Sequence, residues 1–156
     1  MKSPPGREAA KPNPALAGWS GFIGEWETMG SHPYMPGVSL HGRTSFDWLE
    51  GGAFVIMRSE IAEPGIPSGI AVFGADDGTG DQFMLYFDER GVSRRYDVAP
   101  TSNGWTWSRN APDLSQRFTL TLSPDGNSIV GKGLMSKEGK TWEDDLELVY
   151  SRVGRS

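Results

Sequence analysis

The stretch that most constrains this chain runs from Phe83 to Arg109, FMLYFDERGVSRRYDVAPTSNGWTWSR. Three strand-like runs are separated by two turn signals, Asp88-Glu89-Arg90-Gly91 and Thr101-Ser102-Asn103-Gly104. Side chains alternate between the two faces of a strand. Arg94, Tyr96 and Val98 therefore share one face of the second run, and Trp105, Trp107 and Arg109 share one face of the third. Neighbouring strands of an antiparallel meander share their faces. Two arginines, a tyrosine and two tryptophans thus converge on one side of a sheet. On the inside of a barrel, that convergence is a ligand site.

The same period continues along the chain. Strands are expected at about 24–29, 38–49, 53–62, 69–75, 82–88, 92–99, 104–110, 116–122, 128–136 and 141–153. Between them lie short turns such as Glu50-Gly51-Gly52 and Pro124-Asp125-Gly126-Asn127. The 21 glycines and an aromatic content of 11% suit tight turns and short strands rather than helices. The fold class read here is all-β: an up-and-down antiparallel barrel of about ten strands, because a sheet this long curls and closure removes its edges. A short helical turn over 14–19, with Asn13 as N-cap and Pro14 in the first position, would close one end. Residues 1–14 hold four prolines and no bulky apolar side chain and read as a tail. Residues 15–156 read as a single barrel domain.

Parity gives the candidate interior. Phe118, Leu120 and Leu122 define the inner face of the eighth strand. The tenth places Trp142, Asp144, Leu146, Leu148, Tyr150 and Arg152 inside and the polar set Thr141, Glu143, Asp145, Glu147 and Ser151 outside. On the second strand Phe46 and Trp48 share a face. On the third, Arg58 and Glu60 are read as inward with Phe54 and Ile56. The candidate cavity is then walled by Phe46, Tyr96, Trp107 and Trp142 and carries Arg58, Arg94 and Arg109. An arginine inside a barrel is costly unless paired or hydrated. These arginines meet Glu60 and Asp144 in a structural network, snorkel to the barrel rim, are met by ordered water or an anionic ligand, or are turned outward by a slip of parity at a bulge.

Several classes are excluded or disfavoured. The net charge of −5 is spread without a basic block, which argues against nucleic acid. The absence of cysteine removes disulfides and thiolate metal sites. No apolar run approaches the ~20 residues of a membrane-spanning helix. No apolar segment follows Met1-Lys2, so no secretory signal and a cytoplasmic location are expected. His32 and His41 lack a third ligand at a usual spacing and read as surface or loop histidines; no metal site is expected. No nucleophile–base set stands out, and the mid-strand Gly131-x-Gly133 is no phosphate loop but leaves room inside the barrel. No cofactor is expected, and no oligomeric state is read from the sequence.

Gly24-Glu25-Trp26, with Arg152 near the end, resembles the Gly-x-Trp and C-terminal Arg of lipocalin-like (calycin) barrels. That resemblance implies Arg152 packed on or near the face of Trp26 at a closed end, a structural role for both. The span from about Leu16 to Val153 resembles a bacterial family of lipocalin-like domains of unknown function. The matching pieces are Thr44 to Gly52, Asp88 to Val92, Ser115 to Phe118 and Trp142 to Arg152. More distantly, Gly24-x-Trp26 and His32-Pro33-Tyr34 are similar to nitrobindin-like haem barrels. Those ligate haem through a late histidine, whereas the last histidine here is His41. Arg94-x-Tyr96 resembles the carboxylate-holding pair of fatty-acid-binding barrels, which carry it on the last strand.

The function expected is binding of a small hydrophobic or amphipathic molecule, with room for an anionic group, inside the barrel. Two alternatives stand beside it. One is a cofactor-free isomerase or cyclase using Tyr96 or Glu60 as acid or base, though a binding role is preferred over an enzyme. The other is a packed, non-catalytic interaction domain. A cavity above about 300 Å³ separates the first two from the last.

Overall fold

The computed structural model describes residues 12–154. Ten antiparallel strands close into a barrel. They are β1 (Gly24–Ser31), β2 (Leu40–Leu49), β3 (Phe54–Ile61), β4 (Gly69–Ala75), β5 (Gln82–Asp88), β6 (Ser93–Thr101), β7 (Gly104–Arg109), β8 (Ser115–Leu122), β9 (Ser128–Ser136) and β10 (Glu143–Gly154). Each strand pairs with its neighbours in sequence, and β1 with β10 closes the ring. The turn signals act through their side chains. Asp88 Oδ1 accepts from the Arg90 backbone N–H at 2.9 Å, and Gly91 completes that turn at φ +80°.

A 3-10 helix, Pro14–Phe22, lies across one end. Asn13 caps it by accepting from the Ala15 N–H at 3.0 Å, with Pro14 in the first turn. It runs beyond the expected 14–19 because Trp19 and Phe22 are both buried in the barrel. Trp19 stacks on Trp105 at 4.6 Å and 6°, and its centroid is 4.3 Å from that of Phe73. Its Nε1 donates to Gln82 Oε1 at 3.3 Å. Asn13 N–H donates to the Gly52 carbonyl at 2.9 Å, so docking begins inside the stretch read as tail. Residues 1–11 of that stretch lie outside the described residues.

Beside this plug, Trp26 is fully buried and donates Nε1–H to the Phe22 carbonyl at 3.0 Å. The Arg152 guanidinium lies 4.2 Å over the Trp26 ring. It donates to the carbonyls of Gly21, Ile23 and Gly126 at 2.8–3.0 Å. One cation thus ties the segment leading into β1 to the β8–β9 turn.

The parity reading needs two corrections. In β3 it was reversed. Phe46 pairs with Met57, Trp48 with Val55 and Thr44 with Ser59, so Val55, Met57, Ser59 and Ile61 face inward. Arg58 and Glu60 are exposed on the outer wall. The reason is that β3 is apolar on both faces, so alternation alone cannot choose between them. In β10 a bulge separates Asp144 from Glu147. An extra residue in one strand shifts side chains between faces. Asp144 is exposed opposite Leu134, and Asp145 turns inward instead.

Candidate ligand-binding cavity

The end of the barrel away from the 3-10 helix is not filled. A cavity of about 320 Å³ opens there, with an apolar wall that includes Met57, Met84, Trp107, Phe118, Leu148 and Tyr150. Trp107 and Phe118 stack at 5.3 Å. Gly131 and Gly133 face Phe118, and a β-carbon on Gly131 would come within 2.7 Å of that ring. The glycines make room for an inward aromatic side chain.

The polar wall comes from β5, β6, β8, β10 and the start of the β1–β2 connection. Arg94 Nη1 and the Tyr96 hydroxyl both donate to Gln116 Oε1, at 3.0 and 2.8 Å. Positions i and i+2 of β6 present both groups to the same place. Arg94 faces a neutral amide, and among the described residues it forms no ion pair. By contrast Arg90 binds Asp88, with Nη2 to Oδ2 at 2.7 Å. The Tyr86 hydroxyl donates to that same Oδ2 at 2.7 Å. The Arg90 hydrogen bonds, helped by Tyr86, hold the Asp88 carboxyl well below the usual carboxylate range. Burial, with Asp88 beside it, raises the Tyr86 phenol. Burial alone raises that of Tyr150.

His32 sits at the cavity with its side chain 16% exposed, and its Nε2 is 2.7 Å from Asp145 Oδ1. Its Nδ1 accepts from the Tyr34 backbone N–H at 3.0 Å. The ring proton therefore sits on Nε2 and points at Asp145. His32 is thus a loop histidine, as expected, but one turned toward the cavity rather than toward solvent. His41 is exposed on β2. Among the described residues no three His, Asp or Glu side chains gather as a metal-binding group.

The residues singled out from sequence separate into three groups. Arg94, Tyr96 and Trp107 line the cavity. Arg109 has inward parity opposite Gln116 and is half-buried, but it does not line the cavity. Arg58, Phe46 and Trp142 stand elsewhere. Arg58 is on the outer wall, and Phe46 is fully buried against Trp19 and Phe22 at the plugged end. Trp142 precedes β10 and lies under the Arg117 guanidinium at 4.7 Å. Gln116, Tyr86, His32 and Asp145 were missed. Gln116 had a signal, since it shares parity with Phe118 and Leu120. Asp145 had none, because the bulge that turns it is invisible in the alternation.

At the level of sequence, no protein-family model and no curated protein matches the chain. Solved structures do resemble it. Rv2717c from M. tuberculosis superposes with a TM-score of 0.64 at 14% identity, covering 94% of this chain and 100% of that one. The S-type phycobiliprotein lyase CPES from Guillardia theta superposes with a TM-score of 0.55 at 7% identity, covering 88% and 91%. At these identities the likeness is one of fold, and the fold is calycin-like.

Proposed function

We propose that this barrel binds a small amphipathic molecule carrying an anionic group. The apolar body lies against Trp107, Phe118 and Leu148, and the anion is met by Arg94 and Tyr96. The observation that carries this reading is a half-buried guanidinium without a carboxylate partner, on the wall of a cavity of about 320 Å³. Of the other cations lining the cavity among the described residues, Arg90 is neutralised by Asp88 and the exposed Arg117 lies over the Trp142 ring, whereas Arg94 is half-buried and meets only the neutral Gln116 oxygen. An anion replacing the neutral Gln116 oxygen gains a charge-assisted hydrogen bond from each donor.

The volume is at the lower end of known ligand pockets, about 300–1,000 Å³, and speaks against a packed interaction domain. The acid–base alternative loses Glu60 to the outer wall, and Tyr96 already donates to Gln116. The test is native mass spectrometry of protein purified gently from its own host, with a Ser59→Phe variant that fills the cavity from β3. A bound anionic molecule, absent from the folded variant, supports the reading. An equal load in both, or an empty wild type that takes up no amphipathic anion, overturns it.

A further inference from the structure

The wall of the open cavity carries a negative group as well as a positive one. Alternation from Leu148 and Tyr150 would leave Asp145 on the outer face of β10, but the bulge between Asp144 and Glu147 turns it inward. Bulges re-aim side chains in this way. The Asp145 side chain is largely buried, and its Oδ1 accepts from His32 Nε2–H at 2.7 Å. The His32 ring is fixed in turn, because its Nδ1 accepts from the Tyr34 backbone N–H. With that lone pair engaged, the ring carries one proton and no charge, so it orients Asp145 without neutralising it. Asp145 Oδ2 has no hydrogen-bond partner among the described residues. A carboxylate in a largely apolar wall is costly unless a cation or a donor meets it.

Of the other charged side chains lining the cavity, Arg90 is neutralised by Asp88, and Arg117 is exposed over Trp142. Arg94 and Asp145 remain, one of each sign. They do not pair with each other: Arg94 donates to Gln116, and Asp145 accepts from His32. Their strands, β6 and β10, are four steps apart one way round the ring of ten and six the other, which sets the two charges on nearly opposite walls. Between them β7 and β8 contribute Trp107 and Phe118, and β9 contributes the glycines that make room for Phe118. The order around the wall is cation, apolar surface, anion.

We infer, on the basis of the anion site proposed at Arg94, that the ligand is a zwitterion with its charges at the two ends of an apolar body. The anionic group lies at Arg94 and Tyr96, and a protonated amine lies at Asp145. A cavity of about 320 Å³ takes one small molecule, so whatever Arg94 holds also lies in the field of Asp145. Inside a protein that field is several-fold stronger than in water. A simple anion gains at Arg94 and is repelled by Asp145. An ammonium group replaces the repulsion with a charge-assisted hydrogen bond. The placement on facing walls calls for the amine at the far end of the chain rather than next to the anionic carbon.

The experiment is isothermal titration of the full chain with ω-amino acids of six to twelve carbons, each against the unsubstituted acid and the ω-hydroxy acid of the same length. Circular dichroism shows that each variant folds, and Asp145→Asn keeps an oxygen for the His32 Nε2–H. In the wild type, the best ω-amino acid binds roughly 10-fold or more tighter than the ω-hydroxy acid, which is close to it in size. Asp145→Asn abolishes that preference and binds the unsubstituted acid as well as the wild type does, or better. A wild type that binds amino and hydroxy acids equally overturns the inference, and so does a preference that survives Asp145→Asn. Arg94→Ala reports on the anion site separately, weakening every probe while the preference for the amine persists. Weakening by Arg94→Ala with no preference for the amine leaves the anion site standing and removes the zwitterion. A wild type that binds no probe removes both.

Discussion

The two ends of the barrel are built on the same ten strands and the same inward parity, yet they are filled differently. At one end the 3-10 helix inserts Trp19 among Phe46, Phe73 and Trp105, and Arg152 seals Trp26 against three carbonyls. Arg152 is held there by backbone carbonyls and an indole face, and the rings are in contact. At the other end no element among the described residues crosses the opening, and the inward side chains become a wall. Arg94, Tyr96, Gln116 and the His32–Asp145 pair line a space that the chain itself does not fill. The packing contacts are concentrated at the plugged end, and the proposed binding falls to the open one. The two properties should therefore respond to different mutations.

The sharpest way to break this contrast is to remove the plug. Trp19→Ala deletes a fully buried ring from the closed end and is expected to cost about 3–5 kcal/mol of unfolding free energy, measured by urea titration. The variant that remains folded keeps its affinity for a ligand at the open end. Equal damage to both would mean that the ends are coupled. A smaller loss, about 1.5–3 kcal/mol, is expected for Arg152→Ala, which leaves three carbonyls without their charged donor. Ligand selectivity is unchanged.

The smallest effect belongs to the open end and appears only in acid. The folded-state pKa of Asp88 lies below its unfolded value, so its contribution is fully present above about pH 3.9 and is lost as pH falls through the folded value. Asp88→Asn should flatten the fall in stability below about pH 4 and change the neutral-pH slope little. An acid limb as steep as that of the wild type would show that the Arg90 and Tyr86 bonds do not hold this carboxylate.

How much of this was legible beforehand follows from the physics of alternation. The ten strands were read to within two residues because Gly, Asn and Asp turns punctuate a period of two. Arg94, Tyr96 and Trp107 face the interior, as alternation indicates, because β6 and β7 are polar on the opposite face. Arg58 was misplaced because Phe54 and Ile56 are as apolar as Val55 and Met57, and an apolar outer face cancels the signal. Asp145 and Trp142 were misplaced because one bulge resets parity. His32 reaches the cavity through an irregular connection, where no period exists to be read.

The central claim is that the open end recognises a negative charge through Arg94. The direct test is isothermal titration of the wild type and Arg94→Ala with a medium-chain fatty acid and with the alcohol of the same length. The account predicts that the variant loses about 1.5–3 kcal/mol of affinity for the acid and binds the alcohol almost unchanged, with Tyr96→Phe shifting in the same direction by less. Equal losses for acid and alcohol, or no loss for either, would contradict it.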